Sequence, residues 1–251
     1  MPELFLTIFF ISILLIFLGT GIWVALSMVG VSAIGMFLFT SRPVGDAMAT
    51  TIWGTSSSWT LTALPLFVWM GEILFRTKLS ENLFKGLAPW MSRLPGGLIH
   101  VNVVGCALFA AISGSSAATV ATVGKMSIPE LRKRNYPEKL LLGSLAGSGT
   151  LGLLIPPSII LIIYGVTVQE SIAKLFIAGI IPGIMIAIFF MFYVIGWSML
   201  NKNIMPKMEE TFSFSQKIKQ SGQLIPVIVL IVAVIGSIYA GIATATEAAS
   251  L

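Results

Sequence analysis

Apolar segments of bilayer-crossing length recur along this chain, and they leave it few soluble solutions. MPELFLTIFFISILLIFL at the N-terminus, IWVALSMVGVSAIGMFLF after it and IAKLFIAGIIPGIMIAIFFMFYVIGWSML further on each carry almost no charge. A helix rises about 1.5 Å per residue, so roughly 20 apolar residues match a hydrocarbon core about 30 Å thick. With 251 residues, 56% of them hydrophobic and 10% charged, the chain has more apolar surface than a soluble core can hide. It therefore reads as a polytopic, all-α integral membrane protein. The lone cysteine, Cys106, excludes a disulfide within the chain, and the lone histidine, His100, leaves little for a transition-metal site. Both read as packing residues. The first apolar run carries Glu3 and no preceding basic residue, so it reads as a span rather than a secretory signal. The net charge of +5 points to membrane topology and not to nucleic acid, because basic residues of membrane proteins collect in cytoplasmic loops.

Spans are expected at 3–18 and 21–40, joined by a turn at Gly19, Thr20 and Gly21, and a third at 60–77. In residues 80–96, Leu83, Leu87, Trp90 and Met91 share one helical face while Lys85 and Arg93 lie elsewhere. That pattern suits a helix lying in the membrane interface. Further apolar segments follow at 98–124, 138–165, 171–200 and 222–242. A basic loop, IPELRKRNYPEK, separates the first two of these, and a polar, Lys-rich loop at 201–221 separates the last two.

The basic residues decide how 98–124 is threaded. They form three clusters: Arg76, Lys78, Lys85 and Arg93; Lys125, Arg132, Lys133, Arg134 and Lys139; Lys202, Lys207, Lys217 and Lys219. If 98–124 crossed the bilayer, the first two clusters would face opposite sides, against the positive-inside tendency. If it dips in and returns, all three are cytoplasmic and only Arg42 and Lys174 are left over. A re-entrant hairpin is therefore expected, with its tip at Ser113, Gly114, Ser115 and Ser116 inside AAISGSSAATVATVG. The same threading puts the N-terminus outside. The segment from 222 then starts opposite to the first, as in the second copy of an inverted repeat, which would be truncated at Leu251.

A second anomaly lies in GSLAGSGTLGLLIPPSIILIIYG. Gly147, Ser148, Gly149, Thr150 and Gly152 loosen a helix there, and Pro156 and Pro157 remove two amide donors. The segment reads as a discontinuous span. Broken helices expose carbonyls and half-helix ends, the means by which transporters hold Na⁺ and anionic substrates. Neither break contains Asp or Glu, so a monovalent cation is favoured over Ca²⁺. Close helix packing by small residues is the competing account.

Other motifs lead nowhere chemical. GKMS at Gly124 lacks the first glycine of a P-loop, since Thr119 stands there, and Met126 replaces its Ser/Thr. GSSAA at Gly114 is a poor nucleophile elbow with no relay for the sole histidine, and no enzyme activity is expected. Glu72 and Arg76, spaced i and i+4, read as an interfacial ion pair. In GIATATEAAS, Thr246 is a candidate N-cap with Glu247 in the first turn, and ligand contact is the alternative.

ISGSSAATVATVG, IPELRKRNYPEKLLLGSLAGSGTLGLLIPPSIILIIYG, LFIAGIIPGI and YAGIATATEAAS, in that order, resemble the large membrane subunit of tripartite ATP-independent periplasmic (TRAP) transporters. Members of that family are nearly twice as long and carry a second inverted repeat, so the resemblance implies a chain that stops soon after its first repeat. It implies an elevator-type transporter of the bacterial inner membrane, in which a small four-helix membrane subunit completes a scaffold. A periplasmic binding protein delivers an organic acid, such as sialic acid or a C4-dicarboxylate, and Na⁺ drives its uptake by symport without another cofactor. On this sequence the first-repeat scaffold would be 1–79, an arm helix 80–96, transport elements 97–200, a cytoplasmic loop 201–221, and the start of a second repeat 222–251. The resemblance assigns a sodium site to Ser113, Gly114, Ser115, Ser116, Gly147, Ser148, Gly149 and Thr150, with Pro156 holding the break open. Ser116, Thr150, Pro156, Thr246 and Glu247 are the candidate substrate contacts. A non-transporting scaffold subunit and an ion channel with carbonyl-lined re-entrant segments are the alternatives.

Overall fold

The computed structural model describes residues 2–206 and 212–250. Lys207 of the third basic cluster, part of the 201–221 loop and the two terminal residues lie outside the described residues. The described residues form helices joined by turns, with no strand among them, and the protein is an all-α integral membrane protein. By internal contacts the chain divides into two compact units, Met1–Ser58 and Trp59–Leu251.

In the first unit, α1 (Pro2–Gly19) and α2 (Val24–Phe39) pack on each other through a tight turn at Gly21, where φ is +79°. Phe9, Phe10 and Phe39 meet edge to face, with ring centroids 5.6–5.8 Å apart. These arrangements exploit the opposed charges of ring edge and ring face. A third helix, α3 (Val44–Ser56), falls where no element was expected. Its polar residues hide it from a hydropathy reading, and none of its residues is buried. The hydroxyls of Thr50 and Thr51 instead donate to Asp46 O and Ala47 O one turn back, both at 2.8 Å.

The second unit opens with a 3-10 turn (Trp59–Thr62) and α4 (Ala63–Arg76), followed by α5 (Leu79–Met91), α6 (Ile99–Ser113) and α7 (Ser116–Lys133). Then come α8 (Glu138–Gly149), a 3-10 turn (Thr150–Leu153), α9 (Ile159–Val168) and α10 (Ile172–Leu200). The unit closes with α11 (Phe214–Ser221), a 3-10 turn (Gly222–Leu224), α12 (Ile225–Tyr239) and α13 (Ala245–Ala249). α6 is the central element, touching α4, α5, α7, α8, α10 and α12. Phe109, Ile99 and Ile112 of α6 are fully buried. Among the described residues, two helical stretches are long and apolar enough to cross a bilayer, Ile172–Leu200 and Phe214–Tyr239. The second of these includes α11, the turn after it and α12. α1, α2, α6 and α9 are shorter apolar helices.

Three sequence expectations are corrected. α7 runs through most of the supposed basic loop to Lys133, with Pro129 inside it and Glu130 paired to Arg134 at 2.8 Å, so the connection shrinks to 134–137. Asn135 turns the chain there at φ +58°. The stripe on α5 is not free for lipid: Leu83 and Leu87 are buried, packed among α6, α11 and the turn before α12, and only Trp90 keeps substantial exposure. The N-cap of the last helix is Thr244, not Thr246. Thr244 Oγ1 accepts from Glu247 N, and Glu247 Oε2 accepts from Thr244 N at 2.7 Å, a capping box that leaves Thr246 buried inside the helix.

Residues of all three basic clusters line two neighbouring cavities. Lys85 of the first basic cluster and Lys125, Lys133 and Arg134 of the second line one cavity of about 1160 Å³. Lys202 of the third lines an adjoining cavity that shares Tyr136, Met205 and Pro206 with it. Glu72 and Arg76 form the expected exposed pair at 2.9 Å.

Candidate functional site: a hairpin tip seated on a helix break

α6 and α7 form a hairpin. A Cβ on Gly105 would lie 3.6 Å from Val123 Cγ1, and these positions are equally far from Gly114, which fixes the turn there. Gly114 closes α6 in the left-handed region at φ +60°, a conformation that costs an L side chain about 1–2 kcal/mol. Its N–H returns to Ala110 O at 3.1 Å. Ser115 follows as the N-cap of α7, its hydroxyl accepting from Ala118 N. The hydroxyls of Ser113 and Thr119 are 2.9 Å apart, and Thr119 Oγ1 donates to Ser115 O at 2.8 Å, so the tip is held by its own side chains.

The expected discontinuity is present. α8 ends at Gly149, one 3-10 turn follows, and the chain bends through Ile155, Pro156 and Pro157 before α9 begins at Ile159. Ser158 caps α9 by accepting from Leu161 N, and its hydroxyl donates back to Leu153 O across the break. The loop is received by α10 at two small positions. A Cβ on Gly179 would lie 2.8 Å from Leu154 O, and one on Gly183 2.7 Å from Ile155 Cγ1.

Tip and break touch backbone to backbone. Ile159 N–H donates to Gly114 O at 3.3 Å, so the first turn of α9 finds its acceptor on the hairpin. A Cβ on Gly114 would lie 2.8 Å from Pro157 O, and a Cβ on Gly152 2.8 Å from Ser116 N. A Cβ on Gly149 would overlap a Val120 methyl. The carboxyl ends of α6 and α8 therefore meet the amino ends of α7 and α9. Carbonyl ends carry partial negative charge and amide ends partial positive charge, so one neutral junction presents electrostatic partners for both a cation and an anion. No charged residue stands in either break.

The eight residues assigned by resemblance to a sodium site divide here. Ser113, Gly114, Ser115, Ser116 and Gly149 lie at the junction, the first two and Gly149 buried and the serines after the turn half-buried. Thr150 is exposed and donates to Gly147 O at 2.7 Å. Gly147 faces the Phe190 ring of α10, and Ser148 is buried with its hydroxyl on Ser144 O and Asn102 O of α6. Among the substrate candidates, Pro156 is buried in the break loop, with Cγ 3.4 Å from where a Gly179 Cβ would stand. Thr246 is buried in α13, and Glu247 is engaged in its capping box. Thr119 and Ser158 were missed. A hydroxyl at the fourth position into a helix after a capping serine, and a serine directly after paired prolines, were the available signals. The hairpin is also tied at its root, where Leu98 N–H donates to the Tyr136 hydroxyl at 3.1 Å. Burial pushes the Tyr136 phenol above its ordinary value and keeps it neutral.

The sequence that builds this junction matches a known family. Residues 9–251 match the model described as "Tripartite ATP-independent periplasmic transporter, DctM component". The chain belongs to the DctM family. Its relatives include the C4-dicarboxylate TRAP transporter large permease protein DctM of Pseudomonas aeruginosa, 34% identical over 87% of this chain and 50% of that protein. The sialic acid TRAP transporter large permease protein SiaM of Vibrio cholerae is 32% identical over 93% of this chain and 54% of its own length. The ectoine/5-hydroxyectoine TRAP transporter large permease protein UehC of Ruegeria pomeroyi is 31% identical over 97% of this chain and 56% of its own length. The chain thus spans about half the length of the curated DctM-family relatives it matches.

Proposed function

We propose that this chain is the part of a TRAP-type large permease that holds the first of two coupling sites, and that the whole protein takes up an organic acid anion by Na⁺ symport. The observation that carries the reading is the junction of four half-helix ends around Gly114, Ser116, Gly149 and Ile159. Carbonyl groups and hydroxyls there suit a hard monovalent cation, and the amide ends of α7 and α9 suit a carboxylate beside it. Na⁺ neutralises the anionic cargo before the pair crosses. Each Na⁺ entering down 100 mV contributes about 2.3 kcal/mol, and each negative charge on the cargo costs the same. Two Na⁺ with a monoanion therefore keep a net gain of about 2.3 kcal/mol from the potential, to which the Na⁺ concentration gradient adds, without ATP. The named cargoes of the relatives differ, which leaves the class, an organic acid, as the common denominator of this reading.

Movement follows an elevator scheme in which 97–200 slides against a scaffold that includes 1–79 and a small membrane subunit. A periplasmic binding protein hands over the substrate, and the N-terminus is periplasmic with the basic loops cytoplasmic. Membership of a family described as tripartite supports the partner set. The test is uptake by the full-length protein in vesicles with its two partners. Replacing external Na⁺ by K⁺ should abolish uptake, and unchanged uptake would remove the coupling claim. Ser115→Ala combined with Thr150→Ala should raise the Na⁺ concentration for half-maximal uptake.

A further inference from the structure

The segment 201–221 reads as a solvated polar loop, but α11 within it has an exposed apolar edge. Phe214 is 68% exposed and Ile218 55% exposed, one turn apart. α11 passes through the 3-10 turn at Gly222–Leu224 into α12 with only a slight change of winding, and the whole of Phe214–Tyr239 is one continuous helical stretch. Ile218, Ile225 and Val232 recur every seven residues, so each is rotated only about 20° from the last. Phe214 and Val229 fall on the same side, and all five are exposed. The opposite side of α12 is covered, with Val227, Val234 and Ile238 buried, and in α11 Lys217 is buried. One unbroken apolar edge therefore descends from the span into the supposed loop.

Length and chemistry point to what covers that edge. α12 has 15 residues, about 22 Å of helix against a hydrocarbon core of about 30 Å, so α12 alone falls short of a crossing. At the level of α11 the side chains change to those of a membrane interface. Trp90, itself 42% exposed, donates from its indole N–H to the Ser221 hydroxyl at 2.8 Å, and the Lys217 ammonium stands 5.3 Å from its ring centroid. An amphipathic indole beside a lysine is a pairing common in the headgroup layer. Gln216 and Lys219 are exposed away from the apolar edge, and Gln220 lines the cavity where Lys85, Lys125 and Lys133 gather. Glu81 and Glu130 share that lining, paired with Lys85 and Arg134, and Lys125 and Lys133 leave it net positive, which favours anionic phospholipid.

We infer that α11 is an interfacial anchor: Phe214 and Ile218 are seated in phospholipid at the basic face of the molecule, with Trp90 and Lys217 marking the headgroup level. The test is collisional accessibility of spin labels on the full-length protein in vesicles of phosphatidylethanolamine and phosphatidylglycerol. Single cysteines replace Phe214, Gln216, Ile218, Lys219 or Ile225; Cys106 is buried and does not compete for label. At 214 and 218 collision with oxygen should exceed collision with a water-soluble nickel chelate, as at the internal reference position 225. At 216 and 219 the order should reverse. Nickel collision at 214 and 218 equal to that at 216 and 219 would mean a solvated loop, and low collision with both reagents would mean a protein partner. Either result overturns the inference.

Discussion

α6 and α10 are both apolar helices, and composition alone gives no reason to treat them differently. Nearly all of α6 is buried, whereas burial in α10 is confined to Ile172, Phe176, Gly179, Gly183, Val194 and Ser198. The outward side of α10 exposes Ile181, Phe189, Phe192 and Tyr193. α6 is 15 residues long and α10 is 29. The short helix is enclosed by protein and carries the hairpin tip, and the long one offers a broad greasy surface. In a membrane protein the inside and the lipid side are equally apolar, so what distinguishes them is packing, not polarity.

The strongest way to break this comparison is to truncate a ring in each helix. Phe109→Ala in α6 removes a fully buried ring and should cost about 3 kcal/mol, read as a lower midpoint of thermal unfolding in detergent. A loss below about 1 kcal/mol would show that α6 is not the packing centre. Next in size is Gly152→Val. Its Cβ would meet the Ser115 and Ser116 backbone at 2.8–2.9 Å, and overpacking of this kind costs about 2 kcal/mol. Faster amide exchange at 113–118 should accompany the loss, because the tip must lift. Tyr136→Phe leaves Leu98 N–H without its acceptor and should cost about 1 kcal/mol, sharpening the claim that the hairpin root is tied as firmly as its tip. Smallest of all, Ile181→Ala on the open side of α10 should shift stability by less than about 0.5 kcal/mol. An effect as large as that of Phe109→Ala would mean that this surface is covered by protein.

The comparison also explains what the sequence could and could not disclose. The hairpin was legible because three basic clusters had to be reconciled, and the break was legible because Pro156 and Pro157 cannot continue a helix. α3 was not, since Asp46 and its threonines mask a helix that buries none of its residues. The stripe on α5 announced an amphipathic helix but not its partner: Leu83 and Leu87 look the same whether protein or lipid receives them. Within the candidate site, glycine and serine runs located the tip and the break but not which residues would touch. Ser148 sits in the break's own signature yet turns toward α6, while Gly152, noted only as a helix breaker, makes one of the closest backbone approaches. Such contacts depend on the rotation of one helix against another, which a local pattern of small residues does not encode.

α10 has the opposite problem, for a rod that is greasy on all sides has no intrinsic preference for how it is turned about its long axis. Gly179 and Gly183 remove that ambiguity, because only the face bearing this notch admits the Leu154 carbonyl and the Ile155 side chain. Two absent side chains thereby act as a keyway, fixing the angular setting of the longest helix by what it lacks.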